Sequence, residues 1–292
     1  MPTAILAAAV RTDPDTDSYV ELAARAGREC LRRAGIDADA VGLLISSGVL
    51  GRGDAPAAVA IEQRLGLGPE FRPGRAPALS FDLRHGALGV LHAMTVADGF
   101  LIGGKVRYAL LVAGDTPWPT VADPVAAPTA SGAALLLENS TVTGGFGTLR
   151  TSDPTGPVPP SAWTSSDEAG IHGHLRPTGD AFDAAASAVE RCLADDKLSP
   201  EDFRRGRAVL LSPSHTPDFV ARLANTLGLT PRSVIGAPEP GRPYSAAPVH
   251  AYVHAERLGC LESARTVLFL GAYDRSAACL AYHRETTSST VP

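Results

Sequence analysis

The stretch Ala78–Asp115 constrains the fold of this chain more than any other. It begins and ends with short apolar runs, at residues 78–83 and 108–113, which predict two β-strands. Between them, residues 87–102 predict an apolar helix with small residues on one side. Such a β-turn-α-β unit places its turn at the carboxyl end of a parallel sheet and at the positive end of a helix. We therefore expect any chemistry of this chain at residues 84–88.

The rest of the chain alternates strands and helices in the same way. Residues 1–150 predict the order β-α-β-α-β-α-β-β, and residues 178–292 repeat that order, although the pattern places no opening strand there. Residues 151–177 are rich in proline, serine and glycine and lack periodicity, which indicates a connection between two halves. The remaining predicted strands are 5–10, 41–47, 132–138, 208–212, 233–237, 266–272 and 277–283. The remaining predicted helices are 18–34, 57–65, 180–194, 217–227 and 245–258.

Composition excludes several classes of function. Lysine and arginine number 26 against 31 acidic residues, without a basic run, so a nucleic-acid surface is not expected. No apolar segment approaches the roughly 18 residues that a membrane span needs. Four cysteines lie far apart and form no CxxC pair, which is typical of reduced thiols in a cytoplasmic protein. These are Cys30, Cys192, Cys260 and Cys279.

The stretch Ala78–Asp115 resembles the nucleophile segment of the β-ketoacyl-acyl carrier protein synthase III group of the thiolase superfamily. In that group a phenylalanine-aspartate pair ends the strand, and the nucleophilic cysteine follows five residues after the aspartate. Phe81-Asp82 is present here, but the cysteine position carries Ala87. A methyl group can neither attack a thioester nor hold an acyl group. The resemblance therefore implies that the family's covalent step is not available at this position.

The same resemblance locates three further changes in the family's site. Pro213 stands at the position of the catalytic histidine, and Pro243 at that of the asparagine. Proline has no side-chain hydrogen-bonding group, so neither position keeps its function. The strand exit that helps to form the oxyanion hole reads Gly271-Ala272-Tyr273-Asp274-Arg275, with bulky side chains in place of glycines. The segment that binds the coenzyme A nucleotide in the family is also shortened here, between Val10 and Tyr19.

Six residues form the candidate pocket: Arg84, His85, Ala87, Ser214, His215 and Tyr244. Arg84 and His85 fit an anion holder and a base, but also polar turn residues or dimer contacts. Ser214 and His215 either face the former pocket or belong to a polar turn before a helix capped by Thr216. Paired histidines occur at 250 and 254, where no acidic or cysteine partner is placed to complete a metal site, and at 172 and 174, in a loop without a clear pattern. We expect no metal and no cofactor.

The resemblance implies a thiolase fold, an α/β structure in which duplicated βαβαβαββ halves form a five-layered αβαβα sandwich. It implies a dimer, either a homodimer or a heterodimer with a ketosynthase-like chain, and contact with an acyl carrier protein or an acyl thioester. The function it favours is a non-catalytic partner of an intact ketosynthase in polyketide or fatty-acid-type natural-product biosynthesis. The alternative is a repurposed acyltransferase or cyclase that acts without a covalent cysteine intermediate, with His85 or His215 as base. A third reading is a passive acyl-carrier or acyl-binding module.

Overall fold

The computed structural model describes most of the chain, with side chains except in two short strands, 162–167 and 170–175, that are described by their backbone. The described residues are 2–13, 18–48, 56–68, 77–115, 130–141, 144–152, 162–167, 170–175, 181–216, 218–238, 244–273 and 275–284.

The first half has the predicted order of elements. Its strands are β1 (Thr3–Thr12), β2 (Val41–Gly48), β3 (Leu79–Asp82), β4 (Tyr108–Asp115) and β5 (Ser131–Asn139). Its helices are α1 (Tyr19–Ala34), α2 (Ala57–Leu65) and α3 (Gly89–Ile102), the last entered through a 3-10 turn at Gly86–Leu88. The prediction of β-α-β-α-β-α-β-β for this part of the chain is confirmed.

Local signals fix the ends of α1. The Ser18 hydroxyl accepts a hydrogen bond from the Glu21 backbone N–H, and Gly35 ends the helix in the left-handed conformation, with φ of 65°. One face of the helix buries leucine and alanine side chains while the other carries arginines and glutamates. These features of the sequence explain why a helix forms here, and the helix predicted at residues 18–34 is confirmed.

The second half contains elements that the sequence pattern did not predict. Its strands are β6 (Gly145–Phe146), β7 (Arg150–Ser152), β8 (Ala162–Asp167), β9 (Gly170–Leu175), β10 (Ala208–Ser212), β11 (Val234–Gly236), β12 (Thr266–Tyr273) and β13 (Ser276–His283). Its helices are α4 (Phe182–Asp195), α5 (Pro200–Arg204), α6 (Phe219–Thr226) and α7 (Ala247–Arg257). The opening strand missing from the sequence pattern is divided between β6 and β7, which both pair with β13. The connection predicted at residues 151–177 is not free of secondary structure, because β8 and β9 pair within it.

The two main sheets have the same strand order. The first sheet runs β1-β5-β4-β2-β3, and the second runs β11-β10-β12-β13-β6, with β7 also on β13. In each, three neighbouring strands at one edge pair in parallel, β3-β2-β4 in the first sheet and β11-β10-β12 in the second. The remaining pairings, through β5 and through β13, are antiparallel. This repeat supports a duplicated chain. The division into 1–150 and 178–292 stays a prediction, although β6 before residue 150 pairs in the second sheet.

Three apolar cores separate five layers. Helices α1 and α2 cover the outer face of the first sheet, α4 and α6 cover the outer face of the second, and α3 and α7 lie between the sheets. Successive residues of β4 alternate between two cores: Leu111 packs in the central core and Leu110 in the outer one. A strand buried on both faces needs an unbroken apolar sequence, which explains residues 108–113. The predicted αβαβα arrangement is confirmed.

Among the described helices, no helix combines the length and the apolar character that crossing a membrane requires.

Candidate functional site

The start of helix α3 lies where the sequence predicted the site. Strand β3 ends at Asp82, and a short turn leads to Gly86, whose φ of 51° is in the left-handed region that favours glycine. Ala87 follows inside the 3-10 turn and is only 4% exposed. Ala87, which the resemblance aligns with the family's nucleophile, therefore places a buried methyl group at the amino end of a central helix.

Strand β12 of the second half packs directly against this helix start. A methyl group on Gly271 would lie 2.8 Å from the Ala87 carbonyl oxygen and 3.2 Å from Leu88 Cδ2. Both distances are shorter than ordinary van der Waals contacts. Gly271 thus allows the close approach of β12 to residues 87–88.

Two tyrosines adjoin the same helix start. The Tyr244 hydroxyl oxygen lies 2.9 Å from the position that a Cβ would take on Gly86. The ring of Tyr244 packs edge to face against that of Tyr273, with centroids 4.7 Å apart and an angle of 88°. Of the candidate pocket residues, Tyr244 therefore lies against the residue that precedes Ala87. Tyr273, which the sequence named only at the strand exit, packs on Tyr244.

Two aspartates, the buried Asp115 and the partly buried Asp82, hold helices near the start of α3. Asp115, at the end of β4, accepts backbone hydrogen bonds from Tyr244, Ser245 and Ala246 at 2.8, 2.8 and 3.1 Å. Its burial raises the pKa of the carboxyl group, and these amide hydrogen bonds oppose the rise. Asp82 accepts hydrogen bonds from the backbone of Ala57 and Ala58 at 2.9 and 2.8 Å. Each carboxylate caps the start of a helix distant in sequence, α7 or α2.

Arg84 and His85 face the surface side of the turn. Both side chains are exposed, and Arg84 Nη2 lies 3.6 Å from Asp82 Oδ2. The ring of His85 packs at a tilt of 33° against that of His92, in the first turn of α3, with centroids 4.6 Å apart. These contacts fit polar turn residues as well as a base near the tip.

Ser214 and His215 make their contacts in another part of the fold. The Ser214 hydroxyl donates to the Ala237 carbonyl oxygen at 3.0 Å, next to β11. The His215 ring packs edge to face against Phe219, which belongs to the outer core under α4 and α6. Thr216 donates to the Asp218 carboxylate at 2.7 Å, and α6 begins only at Phe219, so the predicted threonine cap at residue 216 is wrong. Pro213 is buried, and Pro243 lies outside the described residues.

No protein-family model matches the chain. The β-ketoacyl-[acyl-carrier-protein] synthase III of Pectobacterium atrosepticum is 32% identical over 104 residues, which are 35% of this chain. The match spans only 30% of the length of that relative.

Solved structures match over nearly the whole chain. A cysteine-to-serine variant of OleA from Xanthomonas campestris, solved with lauric acid and lauroyl-CoA, has a TM-score of 0.76 at 15% identity, covering 97% of this chain and 99% of that one. The 3-oxoacyl-[acyl-carrier-protein] synthase III of Aquifex aeolicus has a TM-score of 0.74 at 14% identity, covering 97% and 100%. The priming β-ketosynthase of the R1128 polyketide pathway has a TM-score of 0.73 at 18% identity, covering 97% and 96%. The chain has the thiolase fold.

A serine hydroxyl lies beneath the first turn of α3. Ser47 Oγ is 2.3 Å from the position that a Cβ would take on Gly89, and Ser47 is buried at the end of β2. The hydroxyl has no hydrogen-bond partner among the residues that the structure describes. A serine hydroxyl needs an adjacent base to become a nucleophile, and none of the described residues supplies that base to Ser47.

The other histidines do not form a site in the described structure. His250 is 5% exposed on α7, and burial lowers its pKa to about 4. The side chains of residues 172 and 174 lie outside the described part. Within that part, no group of three histidine, cysteine, aspartate or glutamate side chains is arranged to hold a metal ion. The four cysteines are free thiols, and Cys260 alone of them is partly exposed.

Proposed function

We propose that this ketosynthase III-like chain is a non-catalytic subunit that pairs with an intact ketosynthase in polyketide or fatty-acid-type natural-product biosynthesis. The observation that carries the proposal is Ala87, a buried methyl group at the start of α3, where the resemblance expects a cysteine. A chain that serves only as a structural partner needs to keep this fold but does not need a nucleophile at the start of α3.

The chemistry around Ala87 supports the same proposal. Thioester attack requires a nucleophile and a group that accepts or donates a proton. Pro213 supplies no proton-transfer group at the position of the histidine, and His215 contacts the outer core through Phe219. The nearby hydroxyl of Ser47 has no partner within the described residues to activate it.

The edge of the first sheet supports pairing. Strand β3 is the last strand of that sheet, and none of the described strands pairs with its outer side. An open strand edge is a template for a strand of another chain. Leu79 on β3 is 47% exposed, and Val59 on the adjoining helix α2 is 40% exposed. We expect the intact ketosynthase to bind here, since the resemblance implies dimerisation through this edge.

Co-expression with an intact ketosynthase encoded beside this chain tests the proposal. We expect the two chains to co-purify and to form a one-to-one complex in size-exclusion chromatography with light scattering. Leu79→Arg places a charge on the edge and should weaken the complex about tenfold or more, a cost of about 1.4 kcal/mol. The matched control is Leu258→Arg, because Leu258 is 57% exposed beyond the end of α7. A homodimer that turns over acyl substrate alone contradicts the proposal.

The exposed His85 gives a specific reason to test the alternative, a repurposed acyltransferase or cyclase working on a carrier-bound or small acyl thioester. Its imidazole lies on the turn before Ala87 and packs at a tilt against His92. If it acts as a general base, His85→Ala will abolish acyl transfer while leaving the circular dichroism spectrum unchanged. Mass spectrometry of the acyl acceptor measures that transfer. Under the non-catalytic proposal, wild-type and variant chains give the same background rate.

A further inference from the structure

Tyr244 closes one side of the space at the start of α3. Its hydroxyl oxygen lies 2.9 Å from the position of a Cβ on Gly86, the residue immediately before Ala87. Backbone hydrogen bonds from Tyr244 and the next two residues to buried Asp115 hold this segment in place. The main chain of this segment is therefore fixed, and the half-buried ring lies between the turn at Gly86 and the ring of Tyr273.

Tyr273 closes the same space from the second sheet. Along β12, Val267 and Phe269 face the central core, whereas Leu268 and Leu270 face the outer core. Because side chains alternate along a strand, Gly271 and Tyr273 share the central face. Gly271 lies against Ala87, so Tyr273 projects from the same face two residues further along. Its edge-to-face contact with Tyr244 joins the two rings beside Gly86.

We propose that Tyr244 and Tyr273 fill the position that an acyl thioester would need at the start of α3, and so exclude an acyl group from this chain. The inference rests on the proposed non-catalytic role and adds the residues that enforce it. The rings supply the exclusion through their volume, so the Tyr244 hydroxyl is not required. Removing either ring should open an acyl-binding cavity at the start of α3, lined by residues 86–88.

Calorimetric titration of the full chain with lauric acid tests the closure. Wild-type protein and Tyr244→Phe, which keeps the ring, should show no saturable binding. Tyr244→Ala and Tyr273→Ala should each bind lauric acid saturably. The Kd of each variant should be at least about tenfold lower than the highest lauric acid concentration at which the wild-type chain shows no binding. Far-UV circular dichroism verifies that each variant is folded. If Tyr244→Ala does not fold, Tyr273→Ala decides the result.

Two outcomes overturn the inference. One is saturable binding of lauric acid by the wild-type chain; the other is a folded Tyr273→Ala variant that binds no better than wild type. Both are distinct from a failure of the proposed function, which is measured by complex formation with an intact ketosynthase. A chain that pairs but binds lauric acid refutes the closure alone, and a chain that is closed but does not pair refutes the partner role alone.

Discussion

The imidazole of His250 lies inside the protein, on central helix α7, and is 5% exposed. Its Nε2 has no hydrogen-bond partner among the described residues, and burial, together with the charge of Arg257, lowers its pKa to about 4 from 6.5. The His250 imidazole binds a proton at a higher pH in the unfolded chain than in the folded chain. The contribution of neutral, buried His250 to the free energy of unfolding is therefore complete above pH 6.5 and is lost as the pH falls towards 4. The loss is about 3 kcal/mol at about 1.36 kcal/mol per pKa unit.

His250→Leu should remove this part of the pH dependence. Urea unfolding at pH 7 and pH 4 measures the free energy of unfolding, and the difference between the two values should shrink by about 3 kcal/mol in the variant. His254→Leu, one turn further along α7 and only half-buried, is the matched control and should keep the wild-type difference. Equal pH dependence in wild type and His250→Leu would show that His250 is not the group responsible.

The residues of the candidate site were predictable in part. A phenylalanine-aspartate pair and the helix after it located Ala87, and the separate resemblance of residues 241–247 to the family's asparagine motif named Tyr244. The contact of Tyr244 with Tyr273 was not predictable, because the two residues are separated by helix α7 and strand β12 and meet only in the folded chain. The roles of Asp82 and Asp115 as helix caps were missed for the same reason, since a side-chain cap is normally sought within a few residues of its helix.

At the scale of elements, helix α1 lies directly on strand β5. A methyl group on Gly132 would lie 2.2 Å from the Leu22 carbonyl carbon and 2.3 Å from the Ala23 nitrogen. Backbone atoms of a packed helix cannot move aside as a flexible side chain can, so the helix would have to lift from the sheet. The outer core of α1 and the first sheet depends on this one glycine.

Gly132→Ala should therefore lower the free energy of unfolding by about 3 kcal/mol or more, above the usual range for overpacking. Gly147→Ala is the control, because a methyl there meets its nearest neighbour, Ala281 Cβ, at an ordinary 3.4 Å and should change stability by less than about 1 kcal/mol. Urea denaturation followed by far-UV circular dichroism measures both. Similar stabilities for the two variants would contradict the close approach of α1 to β5.

The elements that sequence patterns predicted are those with strong local signals. Helix α2 has the predicted bounds of Ala57–Leu65, and β10 those of Ala208–Ser212. Strands β6 and β7 contain two and three residues, too few to show a period, and form only because β13 is beside them. The five-residue helix α5 has a capping box at Ser199 and Asp202, a signal that was present in the sequence and was not used.

For the whole molecule, the central core joins the two halves, because α3 comes from the first and α7 from the second. Further links are the backbone N–H of Ile5 donating to the Tyr282 hydroxyl and the cap that Asp115 places on α7. Neither half can unfold without exposing this core, so we expect one transition, with equal midpoints by near-UV and far-UV circular dichroism.

Asp115→Ala leaves buried amides at the start of α7 without acceptors and should lower both midpoints together, at a cost of about 3 kcal/mol. Asp82→Ala, which uncaps only the shorter helix α2, should cost about 1 kcal/mol. Two separate transitions in the Asp115→Ala variant would contradict this expectation, because the two halves would then unfold independently of each other.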